Sequence, residues 1–167
     1  LQMPELYAAM EADDYYAFTT FLEYGSNPYH LGNATEGLVF KAVRNDDPKY
    51  ILLLLEKVED ASPILDAAVR NNKYDLTALM VARGIQSNNA LSLAVENRQQ
   101  EIFDLLFDHG YYDTSALYSA VRSNEKNMLL KMLDKYGVDD KTRVELTKIA
   151  LSLGYNQILN ILMNATL

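Results

Sequence analysis

At 167 residues the chain has the length of one domain and enough surface to bury a sizeable core. Apolar residues make up 49% and charged residues 23%, an ordinary globular mix. There is no cysteine, which excludes disulfides, thiolate zinc sites, iron–sulfur clusters and cysteine nucleophiles, and the net charge of −8 opposes phosphate-backbone binding by the surface at large.

The charge is uneven. Residues 1–60 hold 11 acids against four bases, a net of −7, whereas residues 61–167 hold 12 acids and 11 bases. An acidic end of this kind suits either solubility or a basic partner. The longest apolar run, Tyr50–Leu55, is far short of the ~20 residues a membrane helix needs, and no signal peptide is visible. A cytoplasmic location is the expectation, or a host-intracellular one for a pathogen's protein.

In chain order the sequence predicts six helix pairs, over residues 4–30, 36–59, 62–85, 89–111, 114–138 and 141–165 of a single domain, 1–167. Each first helix carries a buried-type alanine: Ala9, Ala42, Ala68, Ala94, Ala120 and Ala150. The middle four open the strings Ala42-Val43-Arg44-Asn45, Ala68-Val69-Arg70-Asn71, Ala94-Val95-Glu96-Asn97 and Ala120-Val121-Arg122-Ser123, three steps of 26 residues. Four residues after the alanine come Asp13, Asp46, Asn72, Arg98, Asn124 and Gly154, mostly types that tolerate a left-handed backbone after a helix. A second helix with a denser apolar face follows and usually stops at glycine: Gly25, Gly84, Gly110 and Gly137. Ser62, Asn89 and Ser115 are expected N-caps, with Pro4, Pro48 and Pro63 in first turns. One such pair cannot bury its apolar face alone; stacking does, so an all-α solenoid is expected.

These residues resemble the ankyrin repeat. The clearest stretch runs from Ala90 to Gly110, with a Leu91-Ser92-Leu93-Ala94-Val95 helix and a Glu101-Ile102-Phe103-Asp104-Leu105-Leu106-Phe107 helix closed by His109-Gly110. Gly25 to Gly37 resembles the family's hairpin finger. The Thr-Pro-Leu-His opening is absent, and units two to five repeat at 26 residues. The resemblance therefore implies an ankyrin-like solenoid with shortened loops and one finger-length loop near the N-terminus.

No catalytic, cofactor or metal site is expected. His30 and His109 stand as loop or cap residues, and the acid pairs Asp13-Asp14, Asp46-Asp47 and Asp139-Asp140 lie at helix boundaries, where carboxylates cap N-termini. What remains is surface. The slots after the Ala-Val pair hold Glu11, Arg44, Arg70, Glu96 and Arg122, then Asn45, Asn71 and Asn97; the second slot of the first helix holds Tyr7, Phe40 and Tyr118. In the ankyrin family this face lines the concave groove, and arginine and aromatic residues dominate binding hot spots. The expected function is a non-catalytic module that binds a partner protein there, without direct nucleic-acid or membrane contact and as a monomer. The alternative is an inhibitor or immunity-type protein, viral or bacterial, that occludes a basic, nucleic-acid-binding partner with its acidic N-terminal third.

Overall fold

The structure, a computed structural model, describes residues 2–23, 41–44 and 48–165. Every regular element among them is a helix, so the all-α expectation stands. Asp46, Asp47, Pro28, His30 and the Gly25–Gly37 finger lie outside the described residues.

The chain divides into two compact units, Leu1–Gln86 and Ser87–Leu167. The first holds α1 (Gln2–Glu11), α2 (Tyr15–Glu23), α3 (41–44), α4 (Pro48–Lys57), α5 (Ser62–Arg70) and α6 (Tyr74–Ala82). The second holds α7 (Ala90–Glu96), α8 (Gln100–Asp108), α9 (Ser115–Arg122), α10 (Lys126–Tyr136), α11 (Asp140–Leu153) and α12 (Asn156–Asn164). In the first unit α1 packs on α2 and α5 on α6; in the second, α9 lies between α7 and α11, and each of these first helices packs on the second helix that follows it.

The turn inside each pair is the same wherever it is described. Asp13, Asn72, Arg98 and Asn124 have φ of 52–56° and Gly154 has φ 73°, the left-handed conformation expected at these slots. The residue after each donates its amide N–H back to the anchor alanine carbonyl: Asp14 to Ala9 (2.8 Å), Lys73 to Ala68, Gln99 to Ala94 and Glu125 to Ala120 (2.9 Å each), and Tyr155 to Ala150 (3.0 Å). The left-handed residue itself bonds the next carbonyl, for example Asn72 to Val69 (3.0 Å) and Arg98 to Val95 (3.1 Å). This is a Schellman closure, which satisfies two carbonyls at the helix end. The six anchor alanines are all buried, with Val43, Val69, Val95 and Val121 beside them.

The second helices α6 and α8 close on Gly84 and Gly110 in the same way, whereas α10 ends with a single bond from the Gly137 N–H to the Leu133 carbonyl (2.8 Å). Tyr111 donates to Leu106 (3.0 Å) and Gly110, at φ 84°, to Phe107 (3.1 Å).

The expected N-caps need correction. Ser62 and Ser115 lie inside their helices, and Asn89 makes no side-chain capping bond. The acceptors sit two residues earlier: Asp60 takes the Ser62 N–H (2.9 Å), Ser87 the Asn89 N–H (3.1 Å) and Asp113 the Ser115 N–H (2.9 Å). A short oxygen-bearing side chain reaches the amide two residues on in a tight turn, and this local bond competes with conventional capping. The expected carboxylate caps do appear at Asp14, which accepts from Ala17, and at Asp139, which accepts from Thr142.

Two substitutions test this register. Ala94→Leu forces a large side chain into the fully buried contact and is expected to cost ~1–3 kcal/mol in denaturant melts. Asn124 is left-handed and its Oδ1 is buried without a hydrogen-bond partner, so Asn124→Gly is expected to raise stability by about 0.5–1 kcal/mol.

Candidate partner-binding face

The residues after each anchor pair lie where the helix emerges from the core. Arg44, Arg70, Glu96, Asn97 and Arg122 are exposed, as is Glu11. Phe40, Asn45 and the Tyr7 side chain lie outside the described residues. Asn71 turns back on its own helix and donates from Nδ2 to the Ala67 carbonyl (2.7 Å), so its amide is engaged.

In the second unit the slots come together across neighbouring helices. Ser119 Oγ on α9 donates to Glu96 on α7 (2.9 Å), and Ser92 and Ser115 share a 2.7 Å hydrogen bond. The Tyr118 hydroxyl donates to the Glu145 carboxylate on α11, and the Arg122 guanidinium lies 5.6 Å from the Tyr118 ring centre, one turn further along α9. Tyr118 is half-buried, and its hydroxyl is engaged by Glu145. The hydrogen bond to Glu145 is the main reason its phenol titrates above the ordinary value, with burial and the Glu145 charge adding to it.

In the first unit Lys41 on α3 pairs with Glu11 on α1. Lys49 lies 2.9 Å from Asp13, and the Tyr50 hydroxyl donates to the same oxygen (2.8 Å). The Lys49 hydrogen bond first, then that of Tyr50, then the Lys49 charge hold the Asp13 carboxyl below the usual carboxylate range.

Sequence reasoning missed Ser119 and Glu145, and with them two ion pairs between neighbouring helix pairs: Arg98–Glu125 and Lys131–Asp104 (2.7 Å each). Arg98–Glu125, Asp104–Lys131 and Tyr118–Glu145 are each 27 residues apart, one more than the repeat period. A search for complementary polar residues at that offset finds all three.

A second surface feature is a groove of about 670 Å³ between α10 and α12, lined in part by Leu130, Tyr136, Ile161 and Asn164. Aromatic side chains extend from its rim. Tyr136 stacks on Tyr112 (3.9 Å between centres) and meets Phe107 edge-on (5.9 Å), while Lys135 lies over both Phe107 and Tyr136. Burial, the largest cause, pushes the Tyr112 phenol up. His109 Nδ1 lies 2.8 Å from the Leu105 carbonyl at the end of α8, a helix-end role.

Comparison with known proteins gives no match to a family model, a curated protein or a solved structure. No helix among the described residues is long and apolar enough to cross a membrane.

The two polar clusters differ in how they respond to pH. Asp13 has a folded-state pKa below its unfolded value, so its contribution is full above about pH 4 and is lost as pH falls through the lower folded value. The melting-temperature gap between wild type and Asp13→Asn is expected to persist at neutral pH and close only in acid. Tyr118 has a raised pKa, so its contribution is full below about pH 10 and is lost as pH rises through the raised value. The gap to Tyr118→Phe is expected to close only in strong alkali.

Proposed function

We propose that the chain is a non-catalytic protein-interaction module of ankyrin-like build, which binds a partner protein through the exposed ends of its first helices. The observation that carries this reading is the Tyr118–Arg122–Glu145 arrangement beside Glu96. An arginine and a tyrosine, the types that dominate hot spots, are held in place before any partner arrives. Glu145 on a neighbouring helix fixes the ring, and the ring in turn orients the guanidinium, so less side-chain entropy is lost on binding. The Schellman closure repeated at every described turn inside a helix pair supports rigid display of the face. A cytoplasmic or host-intracellular setting and the solenoid arrangement belong to the same proposal.

The occlusion alternative, with the acidic N-terminal third against a basic partner, has less support. Glu11 and Asp13 already face lysines of the same unit, and Asp14 accepts from the Ala17 amide at the start of α2.

Affinity capture with mass spectrometry supplies the partner, and calorimetry with variants tests the face. Arg122→Ala and Tyr118→Ala are each expected to weaken binding by ~1–3 kcal/mol, whereas Glu101→Ala, on the second helix α8, leaves it unchanged. Occlusion by the acidic end instead predicts unchanged affinity in those variants and a steep loss of association rate with salt.

A further inference from the structure

The chain has 12 tyrosines and neither cysteine nor tryptophan. Cysteine, tryptophan and tyrosine are the side chains that readily give up a single electron to an oxidant, so in this chain a one-electron oxidation settles on tyrosine. Methionine is oxidised differently, by gaining oxygen, and forms no link between residues. Two of the tyrosines are already in contact. Tyr112, in the segment between α8 and α9, and Tyr136, the last residue of α10, lie face to face with ring centres 3.9 Å apart and planes 8° from parallel. Aromatic pairs ordinarily sit offset or edge-on with centres about 4.5–7 Å apart, so this stack is closer than most.

At that separation the ring carbons of one tyrosine lie roughly 3.5–4 Å from the facing ring, the distance of ordinary carbon–carbon contact. The carbons ortho to the hydroxyls are among them, and these carry much of the unpaired electron in a tyrosyl radical. An oxidant can reach the pair, because Tyr136 is 42% exposed and lines the groove between α10 and α12. Tyr112 is half-buried, so its radical would be shielded from other chains. A second tyrosine pair, Tyr15–Tyr50, differs on both counts: its rings meet edge-on at 5.9 Å, and Tyr50 is 2% exposed. The Tyr112–Tyr136 stack also holds the end of α10, which closes with a single backbone bond from Gly137 to Leu133.

We propose that Tyr112 and Tyr136 are a site of oxidative cross-linking, joined ring to ring as a dityrosine by a haem peroxidase and hydrogen peroxide. Each phenol gives one electron to the oxidant and its hydroxyl proton to water, leaving a phenoxyl radical. A carbon–carbon bond forms between the two ortho carbons. The hydrogen on each of those carbons then moves to its own ring's oxygen as aromaticity returns. The pair loses two hydrogen atoms in all, and one hydrogen peroxide takes up the two electrons and two protons to become two waters. The stack contributes proximity, since the two radicals meet within one chain before either meets another chain. The link ties the segment after α8 to the end of α10 and constrains the unfolded chain as a disulfide does, in a sequence that can form no disulfide. The inference is independent of the partner-binding proposal, since it uses neither Tyr118 nor Arg122.

Treatment of the full 167-residue chain with a haem peroxidase and equimolar hydrogen peroxide, at micromolar protein concentration, tests it. Dityrosine fluorescence is expected to appear in the monomer fraction, whose mass falls by two hydrogens. Peptide mapping is expected to find the Tyr112 and Tyr136 peptides joined. Tyr112→Phe and Tyr136→Phe keep the stacked rings but cannot form the second radical, so each is expected to abolish the intrachain link. Tyr16→Phe, at a tyrosine that is 82% exposed, is expected to leave it unchanged. Circular dichroism checks that the variants keep their helicity. A comparison that needs no variant is the wild-type chain in concentrated urea, where the stack is lost and no tyrosine pair is expected to be preferred. The linked chain is expected to melt at a higher temperature than the untreated one. Dityrosine found only between chains, an intrachain link mapped to other tyrosines, a folded Tyr112→Phe variant that still links, or the same link formed equally well in urea overturns the inference.

Discussion

The backbone hydrogen bond from the residue after each left-handed turn to the anchor alanine carbonyl governs the rest of the molecule. It ends the first helix at a fixed residue and starts the second within two positions. The chain must pass through a left-handed residue to make it, which costs an ordinary L-residue about 1–2 kcal/mol. Asp, Asn and Gly reduce that cost at most of the slots. Arg98 does not, and its guanidinium instead meets Glu125 of the next pair. Because the described turns share this geometry, the anchor alanine before each arrives at the same buried depth, with Val69, Val95 and Val121 buried beside it, whereas Leu151 in the valine slot stays exposed. That uniform depth is why one substitution pattern serves every pair and why alanine is needed where neighbouring helices approach.

Polar contacts between pairs follow the same geometry. In the second unit their offsets are 27 or 23 residues, one more or three fewer than the 26-residue period. Each surface ion pair contributes little, typically below about 1 kcal/mol. Their larger effect is positional, because they hold exposed side chains in one orientation. Tyr118 illustrates this: the bond to Glu145 adds modestly to stability but presents a ring and a guanidinium together, the chemistry a protein partner recognises. The acids Asp13 and Asp14 serve the turn and the next helix start, so much of the N-terminal negative charge is already used in the fold.

The local features are legible in the amino-acid sequence by itself. The 26-residue period, the buried Ala-Val pairs, the left-handed slots at Asp13, Asn72, Arg98, Asn124 and Gly154, and the glycine stops all follow from helix periodicity and backbone preference, which act over a few neighbouring residues. The tertiary structure decided the rest. It gave the first acceptor at three helix starts to Asp60, Ser87 and Asp113 in place of Ser62, Asn89 and Ser115, brought Glu145 to Tyr118, and left Leu151 uncovered in a slot where valine is buried. Periodicity marks a residue as apolar and inward-facing for its helix, but its burial depends on whether another helix packs against that side, and that partner is set by contacts far apart in sequence.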